Sequence, residues 1–410
     1  MNDSVFDYSR LYRNGLPDPA PKWAPFPKYY FIGGNNDPEQ IPIEGLIDAA
    51  ASVLRREGSK LAIYNLGLGP QGYPGLRQFV ADKSKKHRGI NLPIDDVLIT
   101  TGSGQGLDMI SNMLINPGDT ILAEEYCYQG ALNRFRKLGA KIEGMKLDAD
   151  GIVIDALSSQ LADLKSRGIT PKFIYTIPTI QNPTASILPL DRRHALLRLA
   201  REYNVCIFED ECYADLIWDG IEAPPALYAL DPECVLHIGS FSKCLAPALR
   251  LGYLFAPWEQ MKRLLPLKGD SGTGALDQMV VAEYFSKTFD THVNHLNGVL
   301  REKLRVMTEA VEREFGASAE CWTPKGGIFL WIKLPESVDV RKLIKPAAEA
   351  GLVFNEGPAW AVSADNSFNS LRLCFAMPDH QTIRDGVATL AQVCYEQTGI
   401  PIRSGNVQRA

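Results

Sequence analysis

A lysine with apolar neighbours on both sides is the residue in this sequence whose type and setting most clearly promise chemistry. Lys243 stands in Ser240-Phe241-Ser242-Lys243-Cys244-Leu245-Ala246-Pro247, just after the β-rich run at 235–238. An amine desolvated there has a depressed pKa, which makes it a nucleophile at ordinary pH. Three carboxylates, Glu209, Asp210 and Glu211, follow the apolar run at 205–208 and precede Cys212, Tyr213 and the apolar Leu216-Ile217-Trp218. At a buried strand end they are costly unless something positive is paired with them. A solvated loop is the other reading, and the immediate return to apolar sequence argues against it. Gly102-Ser103-Gly104-Gln105 lies between the run at 97–101 and a helical pattern. Such a turn aims backbone N–H groups and a hydroxyl at an anion, although its glycines alone would also serve a plain tight turn. Asn182, between two prolines in Pro178-Thr179-Ile180-Gln181-Asn182-Pro183-Thr184, reads by itself as a turn former.

A buried amine, a strand-end carboxylate, a Gly-Ser-Gly helix start and the nearby Arg250 together call for a particular ligand. It must carry an aldehyde, a basic ring nitrogen and a phosphate, and pyridoxal 5'-phosphate has all three.

These residues fall where elements end. Short β-rich runs (97–101, 120–123, 173–177, 205–208, 235–238) alternate with helical patterns from about residues 105, 129 and 191. That alternation predicts an α/β fold with a mainly parallel sheet flanked by helices, whose ligands bind at the carboxyl ends of the strands. A long helical pattern over 276–315 follows, then short strands at 328–332 and 371–375 mixed with helices, which predicts a smaller α+β unit. The expected division is an N-terminal arm at 1–45 packing with the small domain, a large domain at 46–285 and a small C-terminal domain at 286–410.

The combination S-F-S-K-x-x-x-P-x-x-R-x-G-Y, E-D-x-x-Y and Q-N-P-T resembles the fold-type I, class I/II aminotransferases, nearest the branch of kynurenine and aminoadipate aminotransferases. The resemblance runs from about Ile32 to Phe375 and implies the following roles. Lys243 forms a Schiff base with pyridoxal 5'-phosphate and later moves the proton at the substrate α-carbon. Asp210 pairs with the ring nitrogen, while Tyr213 and Asn182 meet the ring oxygen. Ser103, Gly104, Gln105, Ser240, Ser242 and Arg250 surround the phosphate, and Tyr128 stacks on the ring. Arg372, between apolar neighbours in Leu371-Arg372-Leu373, clamps the substrate α-carboxylate; alone it would also suit a structural ion pair. Gly34 belongs to the arm closing over the substrate. Tyr64 reaches the phosphate of a neighbouring subunit, which implies a homodimer with shared sites. Ala185 stands where the family usually has glycine, and Glu356 and Trp360 where the branch commonly has proline and phenylalanine. Glu356 and Trp360 are expected to border the substrate side chain.

Composition narrows the rest. The chain has 410 residues, 45% hydrophobic and 22% charged, and a net charge of -5, so neither disorder nor a nucleic-acid partner is expected. No run suits a membrane span, and MNDSVFDYSRLYRNG is unlike a signal peptide, so the expectation is cytoplasmic. Eight cysteines without a C-x-x-C pair read as buried free thiols, and no metal site is expected. A dinucleotide-dependent oxidoreductase competes, because Glu124 and Glu125 lie about 20 residues beyond Gly102-Ser103-Gly104. It fails on Leu107, which replaces the third glycine, and leaves Asp210, Lys243 and Arg250 unexplained. Other reactions of the same cofactor (lyase, decarboxylase, cyclase, oxidase) are the main alternative. A ligand-sensing part of a transcription regulator needs an added helix-turn-helix, for which no room is seen before Ile47.

The expected reaction moves an amino group from an L-amino acid to a 2-oxo acid in ping-pong fashion. No arginine occurs between Arg263 and Arg301, and Asp270 in the loop 268–275 is positioned to repel a second substrate carboxylate. Trp360 and Tyr73 offer an aromatic wall. A bulky or neutral donor is therefore expected to beat aspartate, with 2-oxoglutarate or pyruvate as acceptor, unless Arg10 or Arg13 swings in from the arm.

Overall fold

The structure, a computed structural model, describes residues 6–16 and 18–402. Seven strands form its central sheet: β1 (Val97–Thr101), β2 (Thr120–Glu124), β3 (Lys141–Met145), β4 (Phe173–Thr176), β5 (Cys206–Asp210), β6 (Val235–Ser240) and β7 (Leu251–Phe255). Their order is β1-β7-β6-β5-β4-β2-β3. All run the same way except β7, which is antiparallel to β1 and β6. Helices cover both faces, which is why β2, β4, β6 and β7 are buried along their whole length and read as apolar runs rather than alternations.

The sequence reading contains neither β3 nor β7. β3 is the edge strand, and with Lys141, Glu143 and Gly144 it has no apolar run. β7 follows Arg250 without a turn signal and merges with the lysine motif.

The helices of more than seven residues are α1 (Ile43–Glu57), α2 (Pro74–Arg88), α3 (Ser103–Leu114), α4 (Gln129–Lys137), α5 (Ile154–Ser166), α6 (Leu190–Tyr203), α7 (Ala275–Phe315) and α8 (His380–Thr398). α3 starts two residues before the expected Gln105, so Ser103 and Gly104 belong to its first turn. The 41-residue α7 packs against α1, α2 and α8 and joins the two halves of the chain.

A second sheet contains β8 (Glu320–Cys321), β9 (Phe329–Lys333), β10 (Asn355–Glu356) and β11 (Ser370–Cys374), in the antiparallel order β8-β9-β11-β10. Its register sets Arg372 on β11 between Trp331 and Asn355. The N-terminal segment joins this half: Tyr29–Tyr30 pairs in parallel with Leu352–Val353, and the Phe31 carbonyl accepts from the Cys374 amide at 2.9 Å. Asp37 then meets the buried Lys303 at 2.7 Å, so residues 33 and 34 are held at both ends.

All eight cysteines are free. Five are buried as expected, but Cys321 is exposed because β8 is the edge strand of its sheet. Among the described residues no helix is long and apolar enough to cross a membrane.

Candidate active site

An antiparallel strand begins where its parallel neighbours finish, so β7 carries the chain back to the edge at which β1 and β6 end. Arg250, immediately before β7, takes a left-handed conformation (φ 52°) that turns the chain into the strand. Its guanidinium lies over Gly102, where an added Cβ would stand 2.5 Å from Arg250 Nη2. Gly102 also has φ 72°, so the backbone favours glycine there, and a side chain would displace the Arg250 guanidinium. A Cβ on Gly252 would likewise meet the Ser103 amide at 2.5 Å, which lets α3 start hard against β7.

Around that junction lies a cavity of about 380 Å³. Ser103, Gly104, Ser240, Ser242 and Arg250 line one end. Asp210, Tyr213, Asn182, Tyr128 and Lys243 line the middle, and Gly34, Trp360 and Arg372 the other end. Two of the residues expected to hold the cofactor lie elsewhere. The Gln105 side chain turns away, accepting from the Thr101 amide (2.8 Å) and Lys268 Nζ (3.0 Å) and donating to Asp270 (2.7 Å). Tyr64 is 85% exposed and outside the cavity.

The three consecutive carboxylates part company. Glu209 accepts from the backbone of Leu227 (2.6 Å) and Tyr228 (3.0 Å) and pairs with His237 (2.8 Å). Glu211 pairs with Arg88 (3.1 Å) and lies 3.8 Å from Arg193, all three being buried. Asp210 has no cation beside it among the described residues: it accepts from Tyr175 Oη (2.7 Å) and the Cys212 amide (3.2 Å) and faces the cavity, and burial pushes its pKa up. A ligand cation at that point would offset this penalty.

Lys243 Nζ donates to the Gly34 carbonyl at 2.8 Å. Burial pulls its pKa down, and the positive charges of Arg372 and Arg250 add to that. Both effects favour the neutral, nucleophilic amine. Tyr213, held up by burial, receives a hydrogen bond from Asn182 Nδ2 at 3.4 Å. Tyr128 caps the start of α4.

Arg372 is 1% exposed, and its guanidinium carbon sits 3.7 Å from the Phe329 ring centroid and 3.8 Å from that of Trp360. Nη1 donates to Asn182 Oδ1 (2.8 Å), and Nη2 to Asn355 Oδ1 (2.6 Å) and the Gly33 carbonyl (3.1 Å), while Nε is buried without a partner. Burial pulls its pKa down to about 10. A planar cation fixed between two rings with no carboxylate beside it is a ready receptor for one. Arg372 has no ion-pair partner among the described residues, and Asn182, which stands in a turn, also holds Arg372 by a hydrogen bond.

Glu124, at the end of β2, lies beneath the Asn182 loop. It accepts from Thr176 Oγ1 (2.6 Å), the Ile177 amide (3.2 Å) and Gln181 Nε2 (2.9 Å), and burial pushes it up to about 7.

Several lining residues escape the sequence reading: Gly33, Gln129, Arg134, Cys212, Phe329 and Asn355. Asn355 comes beside Arg372 only through strand pairing, which no sequence signal announces. Glu356 lies outside the cavity lining; its neighbour Asn355 takes the expected place. Tyr73 also lies elsewhere, its hydroxyl donating to Glu57 at 2.8 Å. Asp270 is not free to repel an anion. Burial opposes its charge, but Lys268 (2.8 Å to each oxygen), Gln105, the Gly272 amide and Thr101 together hold its pKa below the usual range. Arg10 and Arg13 are exposed. A larger groove of about 650 Å³, lined among others by His87, Asp215, Trp218, Asp290, Asn297 and Arg301, has neither a lysine nor a glycine-rich helix start.

The donor set fits pyridoxal 5'-phosphate: an amine of lowered pKa, a carboxylate lacking a cation, and a helix start cleared by Gly102 with an arginine over it.

Residues 33–390 match the family described as Aminotransferase class I and II. The 2-aminoadipate transaminase of Thermus thermophilus is 33% identical over 368 residues, covering 88% of this chain and 89% of its own. A multiple substrate aminotransferase from Thermococcus profundus superposes with a TM-score of 0.84 at 31% identity, over 90% of this chain and 92% of that one. LysN, the α-aminoadipate aminotransferase of Thermus thermophilus, solved with N-(5'-phosphopyridoxyl)-L-leucine, gives 0.81 at 33% identity over the same shares.

Proposed function

The chain belongs to the class I and II aminotransferase family and moves an amino group between an amino acid and a 2-oxo acid, and we propose that it does so with pyridoxal 5'-phosphate in the cavity around Lys243. One observation carries the cofactor reading. Asp210 is the one of three adjacent buried carboxylates that faces the cavity without a cation, and a protonated ring nitrogen supplies it. When bound, the cofactor takes up the electrons left when the substrate α-carbon loses its proton.

Lys243 would hold the cofactor through its aldehyde carbon, and its amine, when free, would carry the proton to and from the substrate α-carbon. Asp210 keeps the ring nitrogen protonated. Tyr213 and Asn182 hold the ring oxygen, and Tyr128 covers the ring face. Ser103, the first-turn amides of α3, Ser240, Ser242 and Arg250 hold the phosphate. Arg372 holds the substrate α-carboxylate, Gly34 closes over it and Trp360 walls the side chain.

We also propose a homodimer with shared sites. On α1 and the segment after it, Ile43, Ile47, Leu54, Leu61, Ile63 and Leu68 are exposed around Tyr64, an apolar face of the kind a second copy buries. Covering it would direct Tyr64 to the partner's phosphate. The arm at 1–45, the large domain at 46–285 and the small domain at 286–410 are the units of this reading. The free state of all eight cysteines suits a reducing compartment, in line with a cytoplasmic enzyme.

With Trp360 beside Arg372 and no arginine between Arg263 and Arg301, the donor is a bulky or neutral amino acid, and the acceptor 2-oxoglutarate or pyruvate. Cofactor-loaded enzyme mixed with one amino acid and no acceptor tests this. Each site should release one 2-oxo acid and stop until acceptor is added, and phenylalanine, leucine or kynurenine should exceed aspartate in kcat/KM. Continuous product without acceptor would indicate another reaction of the cofactor, and a clear preference for aspartate would refute the substrate reading.

A further inference from the structure

The proposed phosphate end of the cavity contains a second arginine whose geometry has so far been given no role. Arg134 lies on α4 and lines the cavity together with Ser103, Gly104 and Arg250. Two edges of its guanidinium are fixed: Nε donates to Asp108 Oδ1 at 2.8 Å and Nη1 to the Gly130 carbonyl at 2.9 Å. Nη2 has no acceptor among the described residues and points at the first turn of α3. A Cβ on Gly104 would stand 3.1 Å from it. Gly104 has no positive φ, so its backbone does not demand glycine. What its missing side chain does is leave open the space between Nη2 and the helix start.

We propose that Arg134 is a second phosphate-holding arginine, recognising the phosphate monoester of the cofactor from the side opposite Arg250; this rests on the cofactor reading above. A phosphate monoester carries about −1.5 to −2 charges at neutral pH. The positive end of α3 supplies about half a charge and Arg250 one more, so a further cation completes the match. The α-carboxylate is an unsuitable target, because its receptor Arg372 stands at the other end with Asn182 and Asn355. Asp108 does not cancel Arg134, since its carboxylate is 53% exposed and screened by solvent.

The test compares pyridoxal 5'-phosphate with pyridoxal, which lacks the phosphate, by fluorescence titration of cofactor-free protein. Arg134→Gln should raise the dissociation constant for pyridoxal 5'-phosphate at least about tenfold and leave that for pyridoxal within about twofold, and Arg134→Lys should recover part of the loss. Asp108→Asn should bind both as wild type does. Equal weakening for both compounds, or the same loss in Asp108→Asn as in Arg134→Gln, would assign Arg134 to joining α3 and α4 and overturn the proposal. Unchanged affinity in Arg134→Gln would overturn it too. Wild-type protein that binds neither compound would instead overturn the cofactor reading from which the proposal starts.

Discussion

Two sets of buried charges lie within a few residues of each other at the end of β5, and they are built in opposite ways. Glu209, Glu211, Arg88 and Arg193 cancel in charge, Thr179 bridging Arg88, Arg193 and Glu211 and His237 pairing with Glu209. In the cavity, Asp210 has no cation, and Lys243 and Arg372 have no carboxylate, among the described residues. The first set balances its charges within the protein, although Arg88 Nε and Nη1 and Glu211 Oε2 lack a hydrogen-bond partner among the described residues, and its ion pairs stabilise the sheet end. The cavity set is left incomplete at a stability cost that only a ligand offsets.

Substitutions can break this contrast. Lys243→Ala should lower turnover by more than about 10⁴-fold, beyond what general acid–base catalysis alone supplies, while thermal stability changes little. Steady-state rates beside thermal melts check both halves. Glu211→Gln leaves two buried arginines without their carboxylate, and should cost about 3–5 kcal/mol in urea unfolding with turnover per folded molecule nearly intact. Asp210→Asn removes a carboxylate with no cation. It should not destabilise the cofactor-free protein, yet should slow the chemical step by about 10²–10³-fold in single-turnover measurements. If Asp210→Asn unfolds the protein and Glu211→Gln silences it, the contrast is the wrong way round.

Smaller effects sharpen it. Asn355→Ala removes one acceptor from Arg372 and should raise the amino-acid KM about tenfold with a smaller change in kcat, because the residue positions the proposed carboxylate receptor rather than the reacting atoms. Glu124 is an intermediate case, satisfied by hydrogen bonds but not by charge. Its pKa is raised from 4.5 to about 7 in the folded state, so between those values the folded protein binds more protons than the unfolded one. Its contribution to stability is therefore present at low pH and lost as pH rises through that window. Glu124→Gln should flatten the fall in unfolding midpoint of the cofactor-free protein between about pH 5 and 7.5.

The sequence makes the central sheet legible where strands are buried on both faces, since such strands must be apolar runs. β3 and β7 stay hidden because one is a polar edge and the other has no turn signal before it. The chemistry is legible at Lys243 and Asp210 for the same reason, an ionisable residue in an apolar run. Sequence alone cannot say which of Glu209, Asp210 and Glu211 faces the cavity. That depends on strand alternation and on where His237, Arg88 and Arg193 arrive in space. Asn355 and Arg134 are invisible for a related reason. Each looks like an ordinary polar residue until strand pairing or helix packing carries it to the site. The reading of Asp270 errs because Lys268, two residues away, folds back onto it.

The central claim is that the incomplete set of charges is a seat for pyridoxal 5'-phosphate anchored on Lys243. The most direct measurement is borohydride reduction of protein loaded with the cofactor, followed by peptide mapping by mass spectrometry. The account predicts one phosphopyridoxyl group per chain, on Lys243, and none in Lys243→Ala; a label on any other residue, or none on loaded wild-type protein, would contradict it.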